Sequence, residues 1–405
     1  MNVSTDPKRI EEIVTRSIAE IYPTRDAFRA ALSSGKQLTF YVGIDPTADY
    51  VHLGHSTNYL LLERLHRLGH KIIVLVGDFT AMIGDPSDKT SMRVQLTREQ
   101  VQENLQTFKS QIGKILDFDA TDNPIEFKFN SEWLSSLTFQ DAVELASNFT
   151  VQQMIERDAF AKRMAAKKPL YVHEFFYPLM QGYDSVAMAV DAEVGGTDQT
   201  FNMLAGRTLL KRYKDKEKFV ITTTLLENPL TGEKLMSKSL GTGVGLNEPP
   251  KEMFAKVMRL PDAGVLQTFV DCTRLSMDEI AAIRKELEAG TNPRDIKLRL
   301  AHEVVHMYHS EAEADTARDQ WLAEVSNKEL AADMPEHELA RAQQDMFDLL
   351  VELGFAATKS EARRLLQQGA IRLNEQKVTE PAVTIADGDV LHAGKRHTVK
   401  LIIRK

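Results

Sequence analysis

The chain has 405 residues, of which 43% are hydrophobic and 27% charged, and its formal net charge at pH 7 is −8. This composition excludes fibrous and disordered classes and allows two or three globular domains. No apolar run reaches the roughly 20 residues that cross a bilayer, the first seven residues predict no signal or transit peptide, and the single Cys272 excludes an internal disulfide and favours a reducing cytoplasm.

Three segments near the start of the chain form a strand–helix–strand unit. Residues 37–44 are apolar and β-rich, residues 53–68 carry apolar side chains at helical spacing, and residues 71–77 are again apolar and β-rich. Such a unit predicts a parallel sheet covered by helices on both faces. Residues 219–225 predict a later strand of the same sheet.

The rest of the chain predicts a helical insertion, a helical domain and a small domain after a linker. Residues 95–175 are mostly helical and form an insertion between two halves of the sheet, and residues 248–325 are helical throughout. Residues 347–368 predict a helix, and short β segments follow it. The expected order is an α/β domain at 1–246, a helical domain at 247–326, a linker at 327–340 and a small domain at 341–405.

The end of the chain is basic although the whole protein is acidic. Residues 359–405 contain ten Lys or Arg and five Asp or Glu, a local charge of +5. A nucleic acid responds to such a patch rather than to the net charge. A solvated surface has the same composition, so the charge alone leaves both readings open.

The first motif is HLGH at residues 52–55, just after the strand that ends at Asp45. His52 and His55 fall at a helix N-terminus, whose free N–H groups favour phosphate. Parallel sheets bind ligands at the carboxyl ends of their strands, and Gly54 leaves room for a nucleotide near the backbone. Two histidines at a helix start also occur by chance, so this motif by itself is weak.

The second motif is the glycine-flanked loop GEKLMSKSLG at residues 232–241. Its lysines, Lys234 and Lys238, could close on a triphosphate, although many such loops are only solvated turns.

A third pattern is a polar stripe formed by Tyr177, Gln181 and Asp184, whose spacings of four and three put them on one helix face. Because apolar residues surround this stripe, it predicts a polar-lined pocket rather than a solvent-facing surface.

Together, the HxGH and MSKS motifs resemble the paired signatures of the class I aminoacyl-tRNA synthetases. The resemblance implies a Rossmann-like parallel-sheet catalytic domain with a helical insertion, then an all-α domain on the anticodon side and a small α+β domain. Within this class the catalytic half resembles the tyrosine-activating enzymes, through Tyr41, the YxxxQxxD segment at 177–184 and GGTDQ at 195–199. Leu235 departs from the KMSKS signature, and whether Lys234 replaces its first lysine stays open.

The resemblance also implies the role of each site residue. Tyr41 and Asp184 would hydrogen-bond the substrate phenol, and Tyr177 and Gln181 would hold its α-amino group. The residues implied to bind tyrosine are Tyr41, Asp85, Tyr177, Gln181, Asp184 and Gln199. Those implied to bind ATP are Asp45, Thr47, Gly54, Asp198, Met236, Ser237, Lys238 and Ser239. Those implied to stabilise developing charge in catalysis are His52, His55, Lys89, Arg93 and Lys238.

The implied reaction has two steps. L-Tyrosine and ATP form tyrosyl-adenylate with release of pyrophosphate, and the tyrosyl group then passes to the 3′ end of tRNA(Tyr) with release of AMP. Neither step needs a protein nucleophile, so catalysis is positioning and charge stabilisation. Mg²⁺ would accompany ATP, with no protein metal ligand and no organic cofactor. The family further implies a cytoplasmic homodimer with the insertion at its interface.

The segment at residues 359–374 resembles the S4 RNA-binding domain. Arg363 and Arg364 would lie on an exposed helix face, where arginines contact phosphates. The resemblance therefore favours RNA as the partner of the basic tail.

Three alternatives compete with this interpretation. A tryptophan-activating enzyme shares both signatures, but Tyr41, Asp184 and the S4-like tail speak against it. A non-catalytic RNA-binding regulator is disfavoured by the intact motifs. The sequence HEVVH at residues 302–306 matches the zinc-peptidase pattern HExxH, although it falls where the family places its anticodon-side helical domain.

We expect Lys238→Ala to slow adenylate formation by orders of magnitude while tyrosine still binds. Its charge acts mainly as pyrophosphate departs, in the transition state. Pyrophosphate exchange measures the rate, and equilibrium dialysis measures tyrosine binding. The matched variant Lys234→Ala tests whether Lys234 contributes to the same step. A loss confined to tyrosine binding would contradict the role of Lys238.

Overall fold

A computed structural model of the chain describes residues 3–47, 49–86, 96–236, 242–332, 335–374, 376–394 and 397–404. The chain divides into two compact units, Met1–Arg318 and Asp319–Lys405. The first unit therefore contains both the predicted α/β domain and nearly all of the predicted helical domain.

A six-stranded sheet forms the centre of the first unit, in the order β1-β6-β5-β2-β3-β4. All neighbouring strands are parallel except β1 and β6, which are antiparallel. The strands are β1 Ile18–Tyr22, β2 Thr39–Ile44, β3 Lys71–Val76, β4 Glu126–Phe129, β5 Ala192–Gly196 and β6 Phe219–Thr223. This sheet confirms the predicted fold class, while β1, β4 and β5 were not predicted.

The order of the strands reverses at β2, which lies between β5 and β3. In an open parallel sheet, ligands bind outside the carboxyl ends of the strands at such a reversal. Tyr41 on β2 is paired with Ile73 on β3 and with Glu193 on β5. The residues that follow these three strands therefore meet at one edge of the sheet.

Helices surround the sheet and form the remainder of the first unit. They are α1 Pro7–Thr15, α2 Arg25–Ser33, α3 Leu53–Arg67, α4 Thr80–Ile83, α5 Arg98–Leu105, α6 Phe108–Ile112, α7 Ser131–Leu134, α8 Phe139–Ala146, α9 Val151–Ile155, α10 Asp158–Ala165, α11 Tyr177–Met188, α12 Thr200–Lys214, α13 Pro250–Met258, α14 Val265–Cys272, α15 Met277–Glu288 and α16 Pro293–Tyr308. Helix α17, Glu311–Ala332, begins in the first unit and continues past Arg318 into the second. The predicted insertion is mostly helical, but it also contains β4, because that strand pairs with β3. No helix within the described ranges combines the length and the apolar character that crossing a bilayer would require.

Helices α11 and α12 approach each other closely at two glycines. A Cβ on Gly182 would lie 3.2 Å from the backbone of Ala205, and a Cβ on Gly206 would lie 2.6 Å from Lys218 Nζ and 2.8 Å from Ser185 Oγ. A side chain at either position would require the neighbouring atoms to move. The glycines therefore hold α11 close to α12 and leave room for Lys218.

The second unit is a small α+β fold. Its helices are α18 Met346–Glu352 and α19 Lys359–Gln367, and its strands are β7 Glu336–Leu339, β8 Gln343–Asp345, β9 Ile371–Leu373, β10 Gln376–Lys377, β11 Ala382–Thr384, β12 Val390–Ala393 and β13 His397–Ile403. Five strands pair in the order β10-β9-β12-β13-β7, and β11 pairs with β8. Leu349, Leu350, Ile371, Leu391 and Leu401 are fully buried in its core.

Two predictions for this region differ from the structure. The helix predicted at 347–368 is two helices, because Gly354 leaves the helical conformation at φ 69°. The segment predicted as a linker at 327–340 is helical up to Ala332 and then forms β7, which pairs in parallel with β13. Alanine and glutamate favour the helical conformation of residues 327–332, and pairing with the distant strand β13 stabilises β7.

Candidate active site

Two polar groups are buried where β2 faces α11. Tyr41 is fully buried, and its hydroxyl lies 2.9 Å from Ser185 Oγ. Asp184 is 3% exposed, and its carboxylate accepts hydrogen bonds from Trp133 Nε1 at 2.7 Å and from Asn130 Nδ2 at 3.4 Å. The structure thus brings together the two residues that the sequence implied for the phenol, and it adds two donors that the sequence did not reveal.

The pKa values of these two groups show how strongly their surroundings act on them. Burial raises the pKa of Asp184 well above its ordinary value, and the Trp133 and Asn130 hydrogen bonds oppose that rise. Burial likewise raises the pKa of Tyr41, with smaller contributions from the carboxylates of Glu193 and Asp184. Tyr41 is therefore a neutral hydroxyl, and the two donors favour the ionised form of Asp184 against the effect of burial.

A buried ion pair lies beside these residues. The ammonium of Lys218 contacts Glu193 Oε2 and donates to Ser185 Oγ at 2.8 Å, and both charged side chains are at most 2% exposed. Gln181 Nε2 donates to Glu193 Oε1 at 3.0 Å. Burial lowers the pKa of Lys218, and the Glu193 carboxylate opposes this change. The sequence analysis missed both charged residues, although a lysine just before a buried strand and a glutamate within an apolar one were visible signals.

The carboxylate of Asp45, at the end of β2, accepts two hydrogen bonds. Tyr177 donates its hydroxyl at 2.8 Å, and Thr80 donates at 2.7 Å. A Cβ on Gly77 would overlap both the Asp45 carboxylate and the Thr80 hydroxyl, so only glycine fits there. The backbone nitrogen of Thr47 donates to the Asp45 carbonyl at 2.8 Å. Asp45 and Tyr177 therefore lie together, although the sequence implied separate substrates for them.

A second charged cluster surrounds Asp85. Arg157 Nη2 lies 3.3 Å from Asp85 Oδ1, and Gln199 Nε2 donates to Asp85 Oδ2 at 2.7 Å. Asn202 Nδ2 in turn donates to Gln199 Oε1 at 3.0 Å, which fixes the orientation of that amide. Burial lowers the pKa of Arg157, and Asp85 opposes this change. Asp85 and Gln199, which the resemblance assigned separately to tyrosine, are hydrogen-bonded to each other, while Arg157 was not predicted.

Asp198 lies on the short 3₁₀ helix Thr197–Gln199 that follows β5. A Cβ on Gly196 would lie 2.5 Å from Asp198 Oδ1, so that glycine gives the carboxylate its position. The Asp198 carboxylate opposes the lowering of the Arg157 pKa that burial causes, so Asp198 lies near the Asp85 cluster.

The two histidines of the HLGH motif organise the N-terminus of α3. His52 Nδ1 accepts from the Gly54 backbone nitrogen at 3.1 Å, and His55 Nδ1 accepts from the His52 nitrogen at 3.2 Å. Their rings stack with centroids 3.8 Å apart. A Cβ on Gly54 would lie 3.0 Å from the His52 ring and 3.3 Å from Met236 Cβ. Gly54 therefore keeps the two signature motifs in contact.

Both ends of the second signature are hydrogen-bonded to the body of the unit. Before it, the Leu235 nitrogen donates to the Leu226 carbonyl at 2.8 Å, and after it, the Leu53 nitrogen donates to Val244 at 2.9 Å. The side chain of Leu235 is buried, and a Cβ on Gly264 would lie 2.6 Å from its Cδ1. Leu235, which stands where the KMSKS signature has its first lysine, is thus a packed apolar side chain. Lys89, Arg93, Ser237, Lys238 and Ser239 lie outside the described residues.

The HEVVH segment lies on α16, where His302 Nε2 is 3.0 Å from Asp315 Oδ1. Within the part of the chain that the structure describes, no group of three or more His, Cys, Asp or Glu side chains is placed to hold a metal ion. His302 is thus engaged by a carboxylate on the next helix.

Two family models together match most of the chain. The model of class I tRNA synthetases (W and Y) matches residues 33–325, and that of the tyrosine–tRNA ligase SYY-like C-terminal domain matches residues 326–400. A curated tyrosine–tRNA ligase of Moorella thermoacetica is 43% identical over 395 residues, covering 96% of this chain and 94% of that protein. Another, of Carboxydothermus hydrogenoformans, is 42% identical over 410 residues, covering 98% of each. The chain belongs to the tyrosine–tRNA ligase family.

This membership confirms the predicted function. The chain is a ligase that activates tyrosine with ATP and charges tRNA(Tyr), and ATP, tyrosine and tRNA(Tyr) are its partners. It also decides against the tryptophan-activating, non-catalytic and zinc-peptidase alternatives.

Solved structures of distant relatives show the same fold. The C-terminally truncated mitochondrial tyrosyl-tRNA synthetase of Aspergillus nidulans matches with a TM-score of 0.66 at 23% identity, covering 78% of this chain and 93% of that one. The tyrosyl-tRNA synthetase of Archaeoglobus fulgidus complexed with L-tyrosine matches with a TM-score of 0.61 at 22% identity, covering 77% and 100%.

We expect Trp133→Phe to weaken tyrosine binding by about three- to tenfold, and more at pH 6 than at pH 8. The change removes a donor that holds down the pKa of Asp184, so that pKa rises further and the ionised fraction falls first at the acid end. Equilibrium dialysis at both pH values measures the effect. Trp321→Phe, at the only other tryptophan of the sequence, is the control. An equal loss at both pH values would contradict the role of the indole donor.

Proposed function

We propose that tyrosine binds with its ring between β2 and α11 and its phenol between Tyr41 and Asp184. The carrying observation is that Tyr41 is hydrogen-bonded to Ser185, the residue next to Asp184 on α11, and that Asp184 is buried with Trp133 as a fixed partner. The phenol proton is donated to the Asp184 carboxylate, and the phenol oxygen accepts from Tyr41. A buried group that loses its partner costs free energy, so phenylalanine is disfavoured at this position.

We place the α-amino group at the acceptors on the other side of the pocket. Gln181 presents its amide nitrogen to Glu193, which turns its amide oxygen to the opposite side. Asp85 supplies a buried carboxylate that Gln199 and Arg157 hold in place. A substrate ammonium donates to such oxygens, with the Tyr177 hydroxyl beside them.

We place ATP at the N-terminus of α3, where His52 and His55 line the start of the helix. The residues assigned to its ribose, base and phosphates are Asp45, Thr47, Gly54, Asp198, Met236, Ser237, Lys238 and Ser239. Lys89, Arg93 and Lys238 are assigned to the departing pyrophosphate. This assignment rests on the resemblance for those residues that lie outside the described ranges.

The reacting atoms in this assignment all belong to the substrates. The tyrosine carboxylate attacks the α-phosphorus, pyrophosphate leaves, and the terminal ribose hydroxyl of tRNA later attacks the tyrosyl carbonyl and releases AMP. The protein positions these groups and supplies cationic donors as negative charge develops. ATP enters as its Mg²⁺ complex, and no organic cofactor takes part. Exchange activity that survives complete removal of divalent ions would contradict the Mg²⁺ assignment.

We assign residues 1–246 to catalysis, 247–326 to the anticodon side of tRNA and 341–405 to RNA binding. In the second unit, Arg363 and Arg364 are exposed on α19. Arg363 packs over the Phe347 ring at 5.5 Å, and Arg364 is 3.5 Å from Glu361. Exposed arginines on a helix suit phosphate contacts.

We further propose a cytoplasmic homodimer that uses the inserted segment as its interface. Among the described residues, six of the eight strongly exposed large apolar side chains fall between Phe139 and Val172. An exposed apolar surface of this kind marks an interaction site. Sedimentation equilibrium would contradict the dimer if it gave the mass of one chain. The buried free thiol of Cys272 fits a reducing compartment.

We expect Tyr41→Phe to lower the tyrosine-to-phenylalanine ratio of kcat/KM about tenfold. The variant removes the hydroxyl that donates to the phenol, which matters for tyrosine and not for phenylalanine. Pyrophosphate exchange with both amino acids measures the ratio, and exchange with the other natural amino acids tests the substrate class. Tyr59→Phe, at another buried tyrosine, is the matched control. An unchanged ratio would show that the Tyr41 hydroxyl does not recognise the substrate phenol.

We expect the double variant Arg363→Gln/Arg364→Gln to weaken tRNA charging while pyrophosphate exchange stays unchanged. Two lost phosphate contacts should make the slope of log affinity against log salt shallower by roughly one to two. Charging assays at several salt concentrations measure this effect. Lys8→Gln/Arg25→Gln, which removes two exposed charges from the first unit, is the control. An unaltered salt slope would exclude these arginines from RNA binding.

A further inference from the structure

A continuous chain of hydrogen bonds joins the buried ion pair to the tyrosine pocket. Lys218 contacts Glu193 and donates to Ser185, and Ser185 is hydrogen-bonded to Tyr41. Every member of this chain is buried, with at most 1% of the residue exposed. The charged pair has no direct place in the reaction, and burying it costs free energy that its mutual attraction only partly offsets.

The geometry decides the direction in which each hydroxyl donates. An ammonium has donors only, so Lys218 occupies a lone pair of Ser185 Oγ and the Ser185 proton must point elsewhere. Tyr41 lies 2.9 Å from that oxygen, whereas Glu193 Oε2 lies 3.5 Å away and is already engaged by Lys218. Because hydroxyl hydrogen bonds weaken strongly at 3.5 Å, Ser185 donates to Tyr41.

Once Ser185 donates to Tyr41, the Tyr41 proton is directed away from Ser185. In the proposed pose it points to the phenol oxygen of the substrate, whose own proton is taken by Asp184. The pocket then offers one donor and one acceptor, which a phenol satisfies together. Phenylalanine satisfies neither and leaves both buried groups without a partner.

We propose that the Lys218–Glu193 ion pair determines specificity by fixing, through Ser185, the Tyr41 hydroxyl as a donor to the substrate phenol. This inference rests on the proposed role of Tyr41. Lys218 and Ser185 are positioning residues in this account, because they act on the substrate only through Tyr41.

Two variants break the chain at different points. Ser185→Ala removes the connecting hydroxyl and keeps the ion pair. Lys218→Met/Glu193→Gln replaces both charges with neutral groups of similar size, which avoids an uncompensated buried charge and is often tolerated. Each is expected to lower the tyrosine-to-phenylalanine ratio of kcat/KM in pyrophosphate exchange about tenfold. Any disturbance of Gln181 affects both amino acids alike, because both carry the same α-amino group, and it cancels in the ratio.

Matched controls separate this role from a general loss of stability. Thr273→Val deletes a buried hydroxyl that is bonded 2.6 Å from the Phe269 carbonyl, and Arg163→Met/Glu174→Gln removes another buried ion pair. Both should leave the ratio unchanged. Circular dichroism gives the Tm of every variant, and each is assayed well below its own Tm.

A double-mutant cycle with Tyr41→Phe gives the decisive readout. In that background Ser185→Ala should cause no further loss in the ratio, because the hydroxyl it directs is already absent. Additive losses, or an unchanged ratio in Ser185→Ala or Lys218→Met/Glu193→Gln, would overturn the inference. If Tyr41→Phe alone leaves the ratio unchanged, the proposed phenol site fails as well, so the two failures are distinguishable.

Discussion

Desolvation of charged groups at the carboxyl edge of the sheet is the constraint on which the site depends. A buried carboxylate without donors would take up a proton and lose its value as an acceptor. At Asp184 the hydrogen bonds from Trp133 and Asn130 oppose this effect of burial, and the Asp85 carboxylate is held in place by Arg157 and Gln199. Each of these two buried acids therefore has donors beside it, and those donors come from the inserted segment or from the short 3₁₀ helix after β5.

Close backbone approach makes this arrangement possible. Gly77 leaves the volume that the Asp45 carboxylate and the Thr80 hydroxyl occupy, and Gly206 leaves the volume around Lys218 Nζ. At both positions a single methyl group would displace a polar atom of the site. Packing between α11, α12 and the sheet thus decides the electrostatics of the pocket as much as the charges do.

The departure in the second signature has a structural counterpart. Where the KMSKS pattern has its first lysine, Leu235 is buried beside Gly264 and anchors the start of the segment, while Met236 lies beside Gly54 of the first signature. A cation at that position would have to leave its apolar surroundings. The charge of the segment therefore rests on Lys234 and Lys238.

The amino-acid sequence by itself determined the strands around residues 37–77, the helix start at His52 and the shared face of Tyr177, Gln181 and Asp184, because these features depend on local periodicity and capping. It could not supply the strands β1, β4, β5 and β7, since each is stabilised by a partner distant in the chain. It also could not show that Lys218, Glu193 and Ser185 meet behind Tyr41. That meeting depends on the reversal of strand order at β2 and on the close approach of α11 and α12, which only the tertiary structure decides.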